Sequence, residues 1–259
     1  MTDTDTVAGP LTGRRAIVTG AAGGIGAAAV RAYLAAGAQV VGLYRNTPPP
    51  ADLAERCTWV SGDLVDRGSV DQAFQKAVET LGGLDVLVHA AGVWRGSMAD
   101  TLTEEDYHDV LNRNLLSTIL TNQAALARMR ETGGGQIVNM GSGEGVRGNQ
   151  IAPHYAAAKA GVHAWTRSVA TAWGRHGVTV NALSPAVSTP GVERLNEFIG
   201  PKAAEAMRAS LRATMPIRGE LGDPLDDLGP VLVFLGGPGA RFITGQLVAV
   251  NGGLQMLGA

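Results

Sequence analysis

Residues 15–26 read Arg15-Ala16-Ile17-Val18-Thr19-Gly20-Ala21-Ala22-Gly23-Gly24-Ile25-Gly26. A short apolar run bounded by glycine reads as a strand, and the alanine-rich stretch from Ile25 to Ala36, stopped by Gly37, reads as a helix. Glycines between such a strand and helix allow a tight turn and a close approach of backbone to a pyrophosphate, which sits at the helix N-terminus. The spacing of Gly20, Gly24 and Gly26 is G-x-x-x-G-x-G, which differs from the G-x-G-x-x-G fingerprint. A glycine turn alone is weak evidence, so its weight depends on the rest of the chain.

Beyond Gly37 the chain alternates between strands and helices. Strands are expected at Gln39–Leu43, Thr58–Val60, Val86–Val88, Ile137–Met140, Val178–Leu183 and Leu247–Val250. Helices are expected over Ser69–Leu81, over one long segment opened by Thr103 with Asp106 three residues on, and over Tyr155–Trp173 and Leu225–Leu235. The strands are continuous apolar runs without period-two alternation, the pattern of a parallel sheet covered on both faces. The expected fold is therefore a single α/β domain: a Rossmann-like, doubly wound parallel sheet of about seven strands with helices on both faces. Residues 1–12 read as a flexible tail, 13–259 as one domain, and 187–220 as an irregular, partly helical lid over a substrate. Ligands in such sheets bind beyond the carboxyl ends of the strands. Thr19, Asp63, His89, Ser142 and Pro185 lie just past strand ends and are expected on that rim.

Composition narrows the function classes. The 259 residues carry 45% apolar side chains and a net charge of −2, so neither a nucleic-acid footprint nor a polybasic membrane anchor is expected. Mean hydropathy is +0.08, and no uninterrupted apolar run reaches a membrane-spanning length of about 18 residues. The acidic start Met1-Thr2-Asp3 is unlike a signal or transit peptide, and the single Cys57 excludes an internal disulfide; both fit a cytoplasmic protein. His89, His154 and His163 show no metal-ligand spacing, so no metal is expected.

In dinucleotide folds an acid near the end of the second strand usually holds the adenosine ribose. Here that position reads Leu43-Tyr44-Arg45-Asn46. Arg45 is placed to meet a 2′-phosphate, which favours NADP(H), with NAD(H) as the other possibility. Tyr155 and Lys159 stand four residues apart and share a helix face, in a chain whose only other lysines are Lys76 and Lys202. An ammonium beside a phenol is expected to draw the phenol's pKa down toward neutrality, making a workable proton donor and acceptor.

Taken together, Thr19-Gly20-x-x-x-Gly24-Ile25-Gly26 and Tyr155-x-x-x-Lys159 resemble the short-chain dehydrogenase/reductase family, in its branch of about 250 residues, over essentially the whole chain. Ser142, thirteen residues before Tyr155, matches the family's catalytic serine, and Asn114 its helix asparagine. Asn181-Ala182-Leu183-Ser184-Pro185, Ile243-Thr244-Gly245-Gln246 and Asn251-Gly252-Gly253 match its later segments. Four departures stand out. His89-Ala90-Ala91-Gly92 replaces Asn-Asn-Ala-Gly, with the asparagine hydrogen bonds expected to be lost. Ala186 stands for a glycine, Thr189 arrives one residue early, and Asn251 replaces a frequent aspartate.

The resemblance implies hydride transfer between a nicotinamide and a carbonyl or secondary alcohol. In that reading Tyr155 is the general acid and base, Lys159 keeps it acidic and holds the nicotinamide ribose, Ser142 binds the substrate oxygen, and Asn114 positions a water. Gly20, Gly24, Ile25, Gly26, Arg45, Asp63, Leu64, Ala91, Gly92, Pro185 and Thr189 join Tyr155 and Lys159 as cofactor contacts. Trp94, Glu144, Val187 and Leu195 are candidate substrate contacts. Arg95, Arg147, Arg194 and Arg218 are candidates for the pocket mouth if the substrate rides on an acyl carrier. The expected activity is an NADP(H)-dependent ketone reductase, acting on a 3-oxoacyl thioester or a small or cyclic ketone. An NAD-dependent alcohol or steroid dehydrogenase is the alternative, and a nucleotide sensor without catalysis is the alternative of another class. Enoyl reductases with wider Tyr–Lys spacing are disfavoured by the four-residue step. The lid's apolar residues, among them Val192, Phe198 and Met207, favour a mostly apolar small-molecule substrate and a lid that orders on binding. The Tyr155 helix is apolar on nearly every face, so a partner subunit is expected to cover it; a homotetramer is the expected assembly.

Overall fold

The computed structural model describes residues 8–256. Seven parallel strands form one sheet in the order β3-β2-β1-β4-β5-β6-β7. They are β1 (Arg15–Thr19), β2 (Gln39–Tyr44), β3 (Thr58–Ser61), β4 (Val86–His89), β5 (Gly135–Met140), β6 (Val178–Pro185) and β7 (Leu247–Val250). Every residue of β4 and β5 is buried, which is why Val86–Val88 and the centre of β5 read as apolar runs without period-two alternation. Side chains of one strand still part to the two faces: Ala16 and Val18 join one core, Ile17 the other.

The first core lies under α1 (Gly24–Ala35) and a late helix, α8 (Gly229–Gly236). Tyr33, Val30, Leu228, Leu232 and Leu235 fill it, and the Tyr33 hydroxyl donates to the Leu232 carbonyl at 2.9 Å. The second core lies under α2 (Arg67–Leu81), α4 (Ser117–Met129) and α6 (Pro153–Trp173), with Phe74, Leu120, Met129 and Val169 at its centre. The chain winds outward from β1 through β2 to β3, then returns to β4 on the other side of β1 and winds the other way. The chain leaving β1 and the chain leaving β4 therefore pass to opposite faces of the sheet, and the crevice at that switch is where ligands of such sheets bind.

Four segments depart from the sequence expectation. The tail expected over residues 1–12 ends earlier: residues 1–7 lie outside the described residues, but Leu11 is fully buried and its N–H donates to the Ala36 carbonyl. The single long helix after Thr103 is broken. Thr103 caps α3 (Glu104–Leu111) by accepting the Asp106 N–H at 3.1 Å, but residues Asn112–Leu116 form a π turn before α4. The segment 187–220, expected to be irregular and only partly helical, is mostly helical: α7 (Pro190–Thr214) forms two helical arms broken at Gly200, whose φ of 78° is left-handed. Pro201 opens the second arm, where its missing N–H costs no hydrogen bond. The helix expected from Leu225 starts at Gly229, because Asp223 Oδ1 turns the preceding segment by accepting the Leu225 and Asp226 N–H groups at 2.7 and 2.9 Å. A short helix, α5 (Glu144–Arg147), comes after β5.

Candidate active site

The crevice opens into a cavity of about 1010 Å³. It runs from the glycine turn and the ends of β2 and β3, past the loop after β4, to Ser142, Tyr155 and Lys159, and is roofed by α7. That volume is at the top of the usual range for a small-molecule site, roughly 300–1,000 Å³, and suits a long ligand with a second one beside it.

The glycine turn is shaped by contacts a side chain would destroy. A Cβ on Gly20, whose φ is +62°, would stand 2.8 Å from the Ala91 Cα, so glycine lets the β1 and β4 loops meet. A Cβ on Gly26 would stand 2.1 Å from the Gly20 carbonyl oxygen. Gly26 is therefore buried beneath the turn and, unlike Gly20, Gly24 and Ile25, does not line the cavity. No acid sits in the first turn of α1, so nothing there opposes a bound phosphate. Thr189 and Pro190, at the start of α7, close over the turn: a Cβ on Gly24 would be 3.4 Å from Pro190 Cδ. Arriving one residue early, Thr189 still lines the cavity, beside Pro185 and Val187.

At the far end, the π turn sets Asn114. Its N-terminal helix α3 and α4 are out of register because the Ser117 N–H bonds back to Asn112, five residues away. The Arg113 and Asn114 carbonyls are taken instead by the Ser117 and Thr118 hydroxyls, at 2.8 and 2.6 Å. Asn114, 1% exposed, then spans to the β4 loop: Nδ2 donates to the Val110 and Val93 carbonyls, and Oδ1 accepts the Val93 N–H at 3.2 Å. A Cβ on Gly92 would be 2.7 Å from Asn114 Oδ1 and 3.7 Å from Lys159 Nζ, so these three residues converge.

Lys159 and Tyr155 project from one face of α6, with Nζ 5.5 Å from the phenol ring centre. Lys159 is buried, and Nζ donates to the Met140 carbonyl at 2.8 Å. Burial lowers its pKa to about 8, against the opposing attraction of Glu144. Tyr155 departs from expectation: its pKa is raised, first by burial and then by the Glu144 charge, with Ser142 working the other way. The lysine ammonium faces the ring and a carbonyl, so it does not offset the loss of water around the hydroxyl.

Ser142 stands between these groups and α5. Its Oγ accepts the Glu144 N–H at 3.1 Å, and its own N–H donates to His163 Nε2 at 3.2 Å. The sequence does not single out His163 for this. It lies one turn beyond Lys159 on the same face, and only the fold brings that face against the loop after β5. Gln255 escapes sequence reasoning in the same way: it lines the cavity from the C-terminal segment and packs on Gly143.

Arg45, Asp63 and Leu64, expected to meet the adenosine end of a dinucleotide, all lie on the cavity wall. Arg45 is paired with Asp63, Nη1 lying 3.6 Å from Oδ2. Asp63 Oδ1 also accepts the Val65 N–H at 3.2 Å, while Asp66 caps α2. Ala91, Gly92, Trp94, Glu144 and Leu195 line the cavity as expected. Of the four mouth arginines only Arg147 and Arg194 do; Arg95 pairs with Asp109 at 3.1 Å, and Arg218 pairs with Asp227.

Thr19 and His89 are not on the rim. They are fully buried beneath it, and the hydrogen bonding expected to be lost with the family's asparagine is replaced. His89 Nδ1 lies 3.0 Å from the Thr19 hydroxyl and 2.9 Å from that of Thr121, with Nε2 3.3 Å from Ser117. Thr19 in turn accepts the Ala91 N–H at 3.2 Å, so His89 ties β1, β4 and α4 beneath the glycine turn. Among the described residues no group of His, Cys, Asp and Glu side chains could hold a metal ion. No helix of the described residues is long and apolar enough to cross a membrane.

A family model described as enoyl-(acyl carrier protein) reductase matches residues 20–255. The chain belongs to the short-chain dehydrogenase/reductase family. It is therefore an oxidoreductase of a family that acts on CH–OH groups with NAD(P)(H). It is 33% identical over 252 residues to a 3-oxoacyl-[acyl-carrier-protein] reductase of Vibrio harveyi, covering 95% of this chain and 99% of that one. It is 35% identical over 250 residues to a D-threitol dehydrogenase of Mycolicibacterium smegmatis, covering 94% of this chain and 93% of that one. A solved structure of a short-chain alcohol dehydrogenase from Sinorhizobium meliloti 1021 superposes with a TM-score of 0.85 at 31% identity, covering 94% and 97% of the two chains.

Proposed function

We propose that this oxidoreductase works as a ketone reductase with NADP(H), Tyr155 giving its proton to the substrate oxygen. The observation that carries the reading is the convergence of Lys159, Asn114 and Gly92 beside Tyr155 at one end of a cavity whose other end is the glycine turn. A dinucleotide fits that path, from Arg45 and Asp63 across the N-terminus of α1 to Thr189 and Lys159, and when bound it supplies the hydride. Tyr155 holds its proton at neutral pH, since its pKa is raised, and so has a proton to give to a developing alkoxide. Lys159, with a pKa of about 8, is mostly charged at neutral pH and steadies the phenolate left behind. The Ser142 hydroxyl donates to the same substrate oxygen, and His163 and the Glu144 N–H hold Ser142 in place. Asn114 positions the loop after β4 through both atoms of its amide.

A screen of ketones and secondary alcohols with NADPH and NADH tests the reading. Turnover of ketones with NADPH is expected; binding of dinucleotide with no turnover on any carbonyl would point to a sensor instead. The cofactor preference rests on Arg45, which must leave Asp63 to meet a 2′-phosphate. Arg45→Ala is expected to raise KM for NADPH about 10- to 100-fold, the worth of a hydrogen bond to a charged group, while moving KM for NADH little. A parent protein that prefers NADH would refute the preference.

The substrate is a separate matter, since the relatives' names span an acyl-carrier thioester and a four-carbon polyol. The assembly proposed is a homotetramer. Ala157, Ala160 and Ala164 form an exposed small-residue stripe on α6, and Phe242 is 99% exposed. Light scattering is expected to give four times the 26.7 kDa chain mass, and a monomer would overturn the proposal.

A further inference from the structure

A dinucleotide concentrates its charge at the pyrophosphate, a full negative charge on each phosphate, and the glycine turn has little to set against it. The N-terminus of α1 supplies about half an elementary charge. The one basic residue of that helix, Arg31, is tied to Asp52 at 2.8 Å. Most cations lining the cavity are engaged as well: Arg45 lies against Asp63, Arg113 pairs with Asp109, and Lys159 Nζ donates to the Met140 carbonyl. Arg194 is different. It lines the cavity from the first arm of α7, and its side chain is exposed, with neither an ion pair nor a hydrogen bond among the described residues. Side chains on a helix lean toward its N-terminus, so Arg194 folds back over Gly191, one turn earlier. A Cβ on Gly191 would stand 3.3 Å from Thr189 Oγ1 and 3.8 Å from Arg194 Nη2, so the hydroxyl and the guanidinium flank the same point. Thr189 and Pro190 in turn close over the glycine turn, with Thr189 Cβ 4.0 Å and Pro190 Cδ 3.4 Å from where a Gly24 Cβ would be. A free guanidinium is thus delivered beside the turn at which a pyrophosphate would sit. Arg147 is also unpaired among the described residues, but it stands on α5, beyond Ser142 at the other end of the cavity.

We propose that Arg194 is a cofactor-binding residue, its guanidinium pairing with the dinucleotide pyrophosphate from the α7 side, opposite the N-terminus of α1. This rests on the reading that the cavity holds a dinucleotide. It applies to NADP(H) and NAD(H) alike, since both carry the same pyrophosphate. A planar guanidinium bonds two phosphate oxygens at once, which suits a bridging contact. The contact also couples the lid to the ligand. The first arm of α7 meets the second at the break at Gly200, so anchoring the first arm on the pyrophosphate fixes the part of the wall that carries Thr189, Val192 and Leu195.

The test measures the affinity of the full-length protein for NADPH and for NADH by nicotinamide fluorescence. Arg194→Gln is expected to raise Kd about 10-fold for both and by the same factor, the low end for a hydrogen bond to a charged group, as suits an exposed side chain. Arg194→Lys keeps the charge without the fork and should raise it less. Arg45→Ala, by contrast, should act mainly on NADPH. The Arg194 side chain is exposed and holds nothing in the protein, so the ligand-free Tm of the variants should stay within about 2 °C of the parent's, while the rise in Tm on adding NADPH should shrink. An unchanged Kd for both dinucleotides, a loss confined to NADPH, or an effect on the KM of the ketone alone overturns the proposal while leaving the dinucleotide site standing. A parent protein that binds neither NADPH nor NADH overturns the dinucleotide reading and this contact with it.

Discussion

Tyr155→Phe is expected to lower kcat for ketone reduction by about 10²- to 10⁴-fold, the usual worth of a positioned general acid. The substitution removes one oxygen and keeps the ring that Lys159 faces at 5.5 Å. Dinucleotide binding, measured by nicotinamide fluorescence, should therefore stay within a few-fold of the parent. The loss belongs to the transition state, so kcat and kcat/KM should fall together while KM moves little. Turnover within a few-fold of the parent would mean that another group delivers the proton. The pH profile gives a second readout. Lys159 loses its proton near pH 8, so the parent's reduction rate should decline above that pH, well before an ordinary lysine near 10.5 would titrate. Residual activity of Tyr155→Phe, lacking the phenol whose charge Lys159 steadies, should show a weaker decline.

Much of this site is legible in the chain because the chemistry is local. Tyr155 and Lys159 meet through helical periodicity alone, and Gly20 and Gly24 sit in a turn between a strand and a helix that the apolar pattern marks clearly. The parallel sheet is legible for the same reason: strands buried on both faces are mostly apolar, with no polar face to alternate. The contacts that escape are long-range or depend on breaks in regular structure. The π turn at Asn112–Leu116 has no glycine or proline to announce it, so α3 and α4 read as one helix. The role of Asn114 comes from resemblance, but its hold on Val93 comes only from that break. His163 bonds to Ser142 across 21 residues, and Arg45 to Asp63 between two strand ends; no periodicity connects either pair. The Tyr155 shift runs opposite to the sequence expectation because spacing shows which groups are near but not how much water they have lost.

Acidification from pH 6.5 to 5 is expected to destabilise the fold by about 2–4 kcal/mol through two histidines, at about 1.4 kcal/mol per pH unit for each proton difference. His89 is driven down to about 3, by burial first and the Lys159 charge second. His163 is driven down to about 4, by burial first and then by Lys159 and Arg167. Both stay neutral in the folded protein throughout this window, while in the unfolded chain both bind a proton below about 6.5. The unfolded state then holds more protons, so stability rises with pH across the window and falls as pH is lowered. The loss from His163 stops near pH 4 and that from His89 near pH 3, where the folded protein also takes the proton. Carboxylates barely titrate above pH 5, which isolates the histidine contribution. Urea unfolding at pH 6.5 and pH 5 measures it directly, with the double variant His89→Asn, His163→Gln as reference. The variant keeps a hydrogen-bonding amide at each site and has nothing to titrate there, so its stability should change less than the parent's between the two pH values; what remains includes the share of His154, which burial also holds below the ordinary histidine value. Equal pH slopes in parent and variant would mean that the buried rings gain protons without unfolding. The functional consequence lies in what the two rings hold. His89 ties β1, β4 and α4 beneath the glycine turn, and His163 accepts the Ser142 N–H with the nitrogen a proton would occupy. Protonating His163 near pH 4 therefore turns an acceptor into a donor facing the Ser142 N–H, and that hydrogen bond is lost.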